Sequence, residues 1–188
     1  MLRLSTLALA ALLPLSALAA PQTYTLDPQH SYPNFAVNHL GMSTIQGRFD
    51  KMSGKVVFDA AAKTGSLDVK IAVASVTTGL ADRDAHLRTA DFFNTAEFPE
   101  ASYKSSKFNF KGDTLESIDG TLTLLGVSKP VKLSVAAFKC GAHPFTKAAM
   151  CGGDATTSFK RTDFGIKYGV PAIGDEVKLT IGFEAYPQ

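Results

Sequence analysis

The chain has 188 residues, of which 45% are hydrophobic, 10% aromatic and 19% charged, with a formal net charge of +2. That balance excludes a disordered chain, which carries less apolar bulk and more net charge, and with no basic block there is no electrostatic footprint for a nucleic acid. The length fits one domain preceded by a processed segment.

In chain order, Arg3 precedes an apolar run from Leu4 to Leu15, and Ala17-Leu18-Ala19 follows with small residues. This is the layout of a secretory signal peptide, predicted to be removed after Ala19. The run is broken by Pro14 and is shorter than the roughly 20 apolar residues of a membrane-spanning helix. The expectation is a nearly neutral, soluble mature chain, residues 20–188, in the periplasm.

After Ala20 the dominant hydrophobic period is two, the signature of half-buried antiparallel strands. Leu67, Val69, Ile71 and Val73 alternate with Asp68 and Lys70; Val131, Leu133 and Val135 alternate with Lys132 and Ser134; Val177, Leu179, Ile181 and Phe183 alternate with Lys178, Thr180 and Glu184. Further strands are predicted near 22–27, 31–40, 43–50, 54–59, 101–110, 114–125 and 155–161, separated by Gly- and Pro-containing turns. One segment, Gly79 to Asp91, lacks alternation and predicts a short helix, followed by the Phe-rich irregular stretch FFNTAEFPE. A second irregular region spans 162–175. Many antiparallel strands with one short helix mean a sandwich or a barrel. About eight strands closed into a barrel leave room inside for one small ligand.

The two cysteines, Cys140 and Cys151, lie in the stretch CGAHPFTKAAMCGG, which reads as a loop. An oxidising compartment predicts a disulfide between them.

Four segments in order carry a resemblance: YTLDPQHSYPNFAVNHLGMSTIQGRF (24–49), SVTTGLADRDAHLRTADFFNTAEFP (75–99), GTLTLLGVSKPV (120–131) and FKRTDFGI (159–166). Together they resemble the YceI family of exported lipocalin-like proteins over nearly the whole mature chain, residues 20–188. The resemblance implies an all-β fold, an antiparallel up-and-down lipocalin-like β-barrel with one short helix and an elongated internal apolar cavity. It also implies binding of an amphiphilic lipid, a polyisoprenoid or isoprenoid quinone. It supplies no catalytic residues, no intrinsic cofactor and no metal, so a quinone would be cargo. Membrane contact is expected only transiently, for lipid exchange; monomer and homodimer both stay open. The cysteine pair is not general to the family.

The candidate cavity wall is Phe35, Val37, Phe49, Phe58, Leu67, Val69, Ile71, Phe92, Phe93, Leu179 and Ile181. These are the inward set of the strands together with the aromatics after the helix, and a lipid cavity is mostly apolar with few polar groups. The densest polar cluster is Asp82-Arg83-Asp84-Ala85-His86. On a helix it pairs Asp82 with His86 and Asp84 with Arg88, or presents Arg83, Asp84 and His86 to a polar headgroup at the cavity mouth. An enzyme acting on such a lipid would draw on the same three residues, and an envelope stress or interaction protein would use the barrel only as a scaffold. Four histidines raise a metal reading, but His30 and His39 would lie roughly 30 Å apart along an extended strand. A bulge at Pro33 is the one feature that would bring them onto one face. The expectation for His30 is a hydrogen bond closing a strand end. A Ser31–His30 nucleophile pair is rejected, because sequence neighbours on a strand point to opposite faces.

Overall fold

The computed structural model describes residues 20–188; the predicted signal peptide, residues 1–19, lies outside the described residues. Eleven strands form one sheet: β1 (Gln22–Leu26), β2 (Tyr32–His39), β3 (Ser43–Phe49), β4 (Met52–Asp59), β5 (Thr64–Ala72), β6 (Val76–Thr77), β7 (Glu100–Lys111), β8 (Thr114–Leu124), β9 (Val127–Ala142), β10 (Ala149–Lys160) and β11 (Ile173–Pro187). Eight of them, β1, β4, β5, β7, β8, β9, β10 and β11, close into an antiparallel barrel through the β1–β11 pairing. Strands β2, β3 and β6 continue the wall from β11 beyond the ring.

The seam is built from local sequence. β1 and β2 run in line along the same neighbour, with Leu26 opposite Ala185 and Tyr32 opposite Gly182 on β11. Between them Asp27-Pro28-Gln29-His30 turns out of the sheet. Asp27 Oδ1 accepts from Gln29 N at 2.9 Å, the short-side-chain turn that Asp favours, and His30 Nδ1 donates to Asp27 Oδ2 at 2.6 Å. Ser31 is fully buried; its hydroxyl donates to Glu184 O and accepts from Glu184 N, both at 3.0 Å. The His30–Ser31 pair is therefore a strand-end lock. Pro33 sits opposite Ile181 without a register shift, and β3 pairs with β2 only from Asn34 onward, so the missing amide of Pro33 leaves no ladder bond unmade.

Several expected boundaries move. β9 and β10 are much longer than 131–135 and 155–161, and the stretch expected to be a loop is mostly strand. Cys140 and Cys151 are direct cross-strand partners joined by a disulfide, and the turn between the strands is confined to 143–148. Pro130, read as part of a turn, lies within β9 where β9 has no pairing to β10. The helix is shorter than 79–91: α1 covers Ala81–Leu87. It stops because Arg88 turns back to hold the preceding segment, its guanidinium donating to Ala74 O and Val76 O at 2.8 Å each.

Bulges interrupt the period-two reading. The register shifts between Lys104 and Lys107 on β7, and beside Ala155 on β10, where Ala137 rather than Ala136 faces Asp154. Each extra residue reverses which side chains point inward. Phe108, Phe110 and Phe138 consequently pack on the core side, with Tyr103, Val131 and Leu133 preceding the shifts.

The interior is packed tightly along β7, β8 and β9, where Ala101, Tyr103, Leu115, Ile118, Leu122, Leu124, Val131 and Leu133 are buried. Tyr103 lies flat over Gly120, where a Cβ would come within 2.4 Å of its ring. Its hydroxyl reaches Val131 O at 2.7 Å and Ile118 O at 3.2 Å. By contrast, the inward residues of β2 and β5, among them Phe35, Val37, Leu67 and Val69, are only half-buried. They face space rather than packed atoms.

Two outcomes follow from this geometry. Reducing the disulfide, or the Cys140→Ser variant, should lower unfolding free energy by about 3 kcal/mol, the chain-entropy value for so short a loop, measured by chemical denaturation with and without reductant. At the seam, Asp27 holds the His30 imidazolium above its ordinary pKa, and His30 in turn holds the Asp27 carboxyl below its own. The His30 contribution is fully present below pH about 6.5 and is lost as pH rises through the raised value; the Asp27 contribution is lost in acid. Thermal unfolding of His30→Ala should therefore differ from the parent most in mildly acidic buffer, and a constant difference up to pH 9 would contradict this linkage.

Candidate functional site

The space inside the barrel has two lobes that meet at Pro33, Ile71, Leu122 and Leu179. The upper lobe, about 340 Å³, lies where β2, β3, α1 and the 161–173 connection surround the ring opening. The lower lobe, about 110 Å³, runs down the barrel axis. Of the predicted wall, Phe35, Val37, Phe49, Phe92 and Phe93 line the upper lobe; Phe58, Leu67, Val69 and Ile181 line the lower; Ile71 and Leu179 line both. Their positions are fixed by ring contacts. Phe49 meets Phe35 at 5.8 Å and Phe93 at 5.3 Å, and the Phe35 ring lies against Gly47, where a Cβ would approach it to 2.4 Å.

Among the described lining residues the guanidinium and imidazole groups are confined to the upper lobe. Arg83 and His86 line it; Asp84 does not. Asp84 is buried behind the helix, where Oδ1 accepts from both Thr78 N and Thr78 Oγ1. Burial raises its pKa, but the Thr78 hydrogen bonds outweigh that and hold the carboxyl below its ordinary value. Its role is to set Thr78, which in turn positions Arg83: Arg83 Nε donates to Thr78 Oγ1 at 2.7 Å and Nη2 to Thr78 O at 3.0 Å. The expected Asp82–His86 and Asp84–Arg88 pairs give way to other partners. His86 Nε2 pairs with Asp91 Oδ2 at 2.9 Å, and Arg88 bonds backbone carbonyls.

Of the lining residues that were not among the candidates, three bear on the chemistry of the upper lobe. Arg161, in a short 3-10 turn (Arg161–Phe164), is 4% exposed and donates to Gly174 O, Ile173 O and Ile166 O at 2.9, 2.9 and 3.3 Å. Burial pushes its guanidinium below the usual value, partly opposed by Asp175. Tyr168 closes a three-ring cluster with His86 and Phe92, centroids 5.1–5.2 Å apart. His39, considered above only as a metal ligand, lines the same lobe. A cation in the middle of the apolar-flanked FKRTDFGI segment was the one signal available for Arg161.

No carboxylate lines either lobe. Among the described residues Arg83 and Arg161 form no salt bridge; their hydrogen bonds go to neutral partners, and Asp175 acts on Arg161 only through its field. His86 lines the lobe with its side chain 42% exposed, which marks the mouth. The described residues do include one group, Asp27, His30 and Glu184, with potential metal-ligand atoms within 4.8 Å of one another. It sits at the strand seam, apart from both lobes, and its close pair is the His30–Asp27 contact already described. The Asp84→Ala variant should lose about 1 kcal/mol of stability, the cost of leaving half-buried Thr78 donors without their partner, and a calorimetric unfolding profile unchanged at pH 7 would contradict that structural role.

Comparison with known proteins agrees with this architecture. The YceI-like domain model matches residues 24–185. Protein YceI of Escherichia coli is 38% identical over 174 residues, covering 92% of this chain and 90% of its own, and a UPF0312 protein of Shewanella baltica is likewise 38% identical over 174 residues, 92% and 91%. Among solved structures, Burkholderia cenocepacia BcnA superposes with a TM-score of 0.71 at 24% identity, over 85% of this chain and 98% of that one. The Campylobacter jejuni YCEI protein gives 0.66 at 29%, over 80% and 89%, and a polyisoprenoid binding domain from Saccharophagus degradans gives 0.66 at 20%, over 89% and 99%. The chain belongs to the YceI-like domain family.

Proposed function

We propose that this protein is a periplasmic carrier that holds an amphiphilic isoprenoid lipid, a polyisoprenoid or an isoprenoid quinone, with its tail in the lower lobe and its headgroup in the upper. The observation that carries this reading is the division of the cavity. One lobe is almost wholly apolar, and the other adds Arg83, Arg161, His86 and His39 with no acid among them. That is the distribution an apolar chain with an electron-rich, hydrogen-bond-accepting head requires. The fold shared with a polyisoprenoid binding domain supports the same assignment.

Binding strength follows from area. A long isoprenoid chain burying several hundred Å² gains roughly 10 kcal/mol at about 25 cal/mol per Å². Ordering and translational costs remove much of this, which leaves affinity near the micromolar range. The polar residues act as a binding set rather than a catalytic one: Thr78 holds Arg83, Asp91 holds His86, and Asp84 is turned away from the lumen. The lipid is cargo and the protein carries no resident cofactor. Removal of residues 1–19 delivers the domain to the periplasm, and it touches a membrane only while loading or releasing lipid.

The direct test is mass spectrometry of organic extracts from protein purified from its native compartment. An isoprenoid recovered near one equivalent is the expected result; protein extracted lipid-free, which also fails to take up added isoprenoid, would sink the reading. Intact mass of the same sample should correspond to a chain beginning at Ala20, and full-length cytoplasmic protein would overturn export. Variants locate the ligand. Val69→Trp fills the lower lobe and should reduce lipid retention at least about tenfold, while Lys70→Ala, on the outer face and paired with Glu100 at 3.0 Å, should change retention less than twofold. Arg83→Ala and His86→Ala should weaken retention with the fold intact; unchanged retention in both would remove the headgroup from this lobe.

A further inference from the structure

The lower lobe has a floor. Phe110 stacks on Phe58 with centroids 6.2 Å apart, Phe58 meets Phe138 edge-on at 5.2 Å, and Phe138 stacks on Phe183 at 6.4 Å. In the closed ring, taken in the order β1, β4, β5, β7, β8, β9, β10, β11, these four come from every second strand. Inward side chains at one level of a barrel come from alternate strands, and here β4 and β9 lie opposite each other, so the Phe58–Phe138 contact spans the lumen. The strands in between add little bulk. Gly65 on β5 takes the Phe108 ring against its backbone, and on β10 Gly153 stands between Phe138 and Phe183 in the ladder. Phe110 and Phe138 belong to this level only because the bulges on β7 and β9 turn them inward.

We propose that this four-phenylalanine floor is a length gauge that sets the longest isoprenoid chain the protein can bury, a proposal that rests on the isoprenoid reading above. The mouth lies at the His86 and Tyr168 end, and the tail enters from there. When its tip reaches Phe58 and Phe138 the lumen is closed by aromatic bulk on four sides. Further isoprene units stay outside in water and add no buried area, so affinity climbs with chain length to a limit and then levels off. Removing rings from the floor moves that limit outward; adding bulk above it moves the limit inward.

The experiment uses the mature protein stripped of lipid by organic extraction and refolded, with isoprenoid quinones carrying two to ten isoprene units as probes. Retention through gel filtration is read from quinone absorbance, and circular dichroism checks each variant's fold. For the parent, retention should rise and then level at a definite chain length. In the Phe58→Leu/Phe138→Leu variant, a quinone one or two units beyond the parent's limit should gain at least about fivefold in retention, while quinones well below the limit change less than twofold. Val56→Phe, which adds a ring to the lower lobe wall, should shorten the limit and serves as the converse test if the double variant fails to fold. A limit that stays fixed in both folded variants, or fixed in Val56→Phe alone when the double variant does not fold, overturns the gauge with isoprenoid binding intact. Parent retention that rises through all ten units also overturns it. A parent that retains no quinone of any length overturns the underlying ligand reading, and the gauge with it.

Discussion

The arrangement depends on β11 having two partners. Its last residues, Ala185 to Pro187, pair with β1 to close the ring, and its stretch from Ile173 to Gly182 pairs with β2 to extend the wall beyond it. Both pairings are possible because the Asp27–His30 turn leaves the sheet and Ser31 returns to it with both its donor and its acceptor spent on Glu184. The eight-strand ring encloses the narrow lower lobe, about 110 Å³. Above it the wall formed by β2, β3 and β6 stands away from the axis, and α1 with the three-ring cluster of His86, Phe92 and Tyr168 covers the gap. The upper lobe is the space that this split pairing creates, so closure of the fold and existence of the cavity are the same structural fact.

Much of the strand pattern was legible because a barrel wall with one wet face and one dry face imposes period two on the sequence. Val177 to Phe183 and Leu67 to Ile71 are clear cases, and all of these residues face the lumen. Alternation says which side chains share a face; it is blind to a bulge, because one inserted residue leaves the composition of a strand unchanged while reversing its faces. Phe108, Phe110 and Phe138 were therefore beyond reach of the pattern. The disulfide between the cysteines was legible, but the loop reading around them failed for a related reason. Gly, Pro and small polar residues around Cys140 and Cys151 read as a loop, yet they form a hairpin tip between the two cysteines, where largely exposed strand tolerates such residues and the cross-strand disulfide at its base holds it in register.

At the mouth, the local sequence around α1 pointed to a polar cluster but not to which member faced the lumen. Helical spacing places Arg83, Asp84 and His86 close together, and burial sorts them: Asp84 is drawn behind the helix by Thr78, six residues earlier and outside any helical periodicity. Arg161 and Tyr168 arrive from a segment seventy residues and more downstream through the β10–β11 connection. Nothing local relates them to α1. That convergence is set by the ring, and so it becomes visible only once the strand order is known.

The burial of Arg161 bears on what the upper lobe will accept. A guanidinium 4% exposed and without a direct carboxylate partner is tolerated because three backbone carbonyls accept its hydrogen bonds, while the nearby Asp175 carboxylate offsets part of its charge. Arg83 is held in the same manner by Thr78. Each neutral partner fixes a side chain without cancelling its field, so what Asp175 does not offset at Arg161, and the charge of Arg83, act on the lobe within low-dielectric walls, where they are screened less than on the surface. A lipid headgroup rich in acceptor oxygens relieves that field on entry. A cationic headgroup adds a like charge to it, and a bare hydrocarbon displaces water from the donors without replacing its hydrogen bonds. On the proposed lipid-carrier reading, discrimination between amphiphiles with equal tails would reside in the upper lobe, while the lower lobe, with no charged side chain on its lining, would distinguish them only by shape.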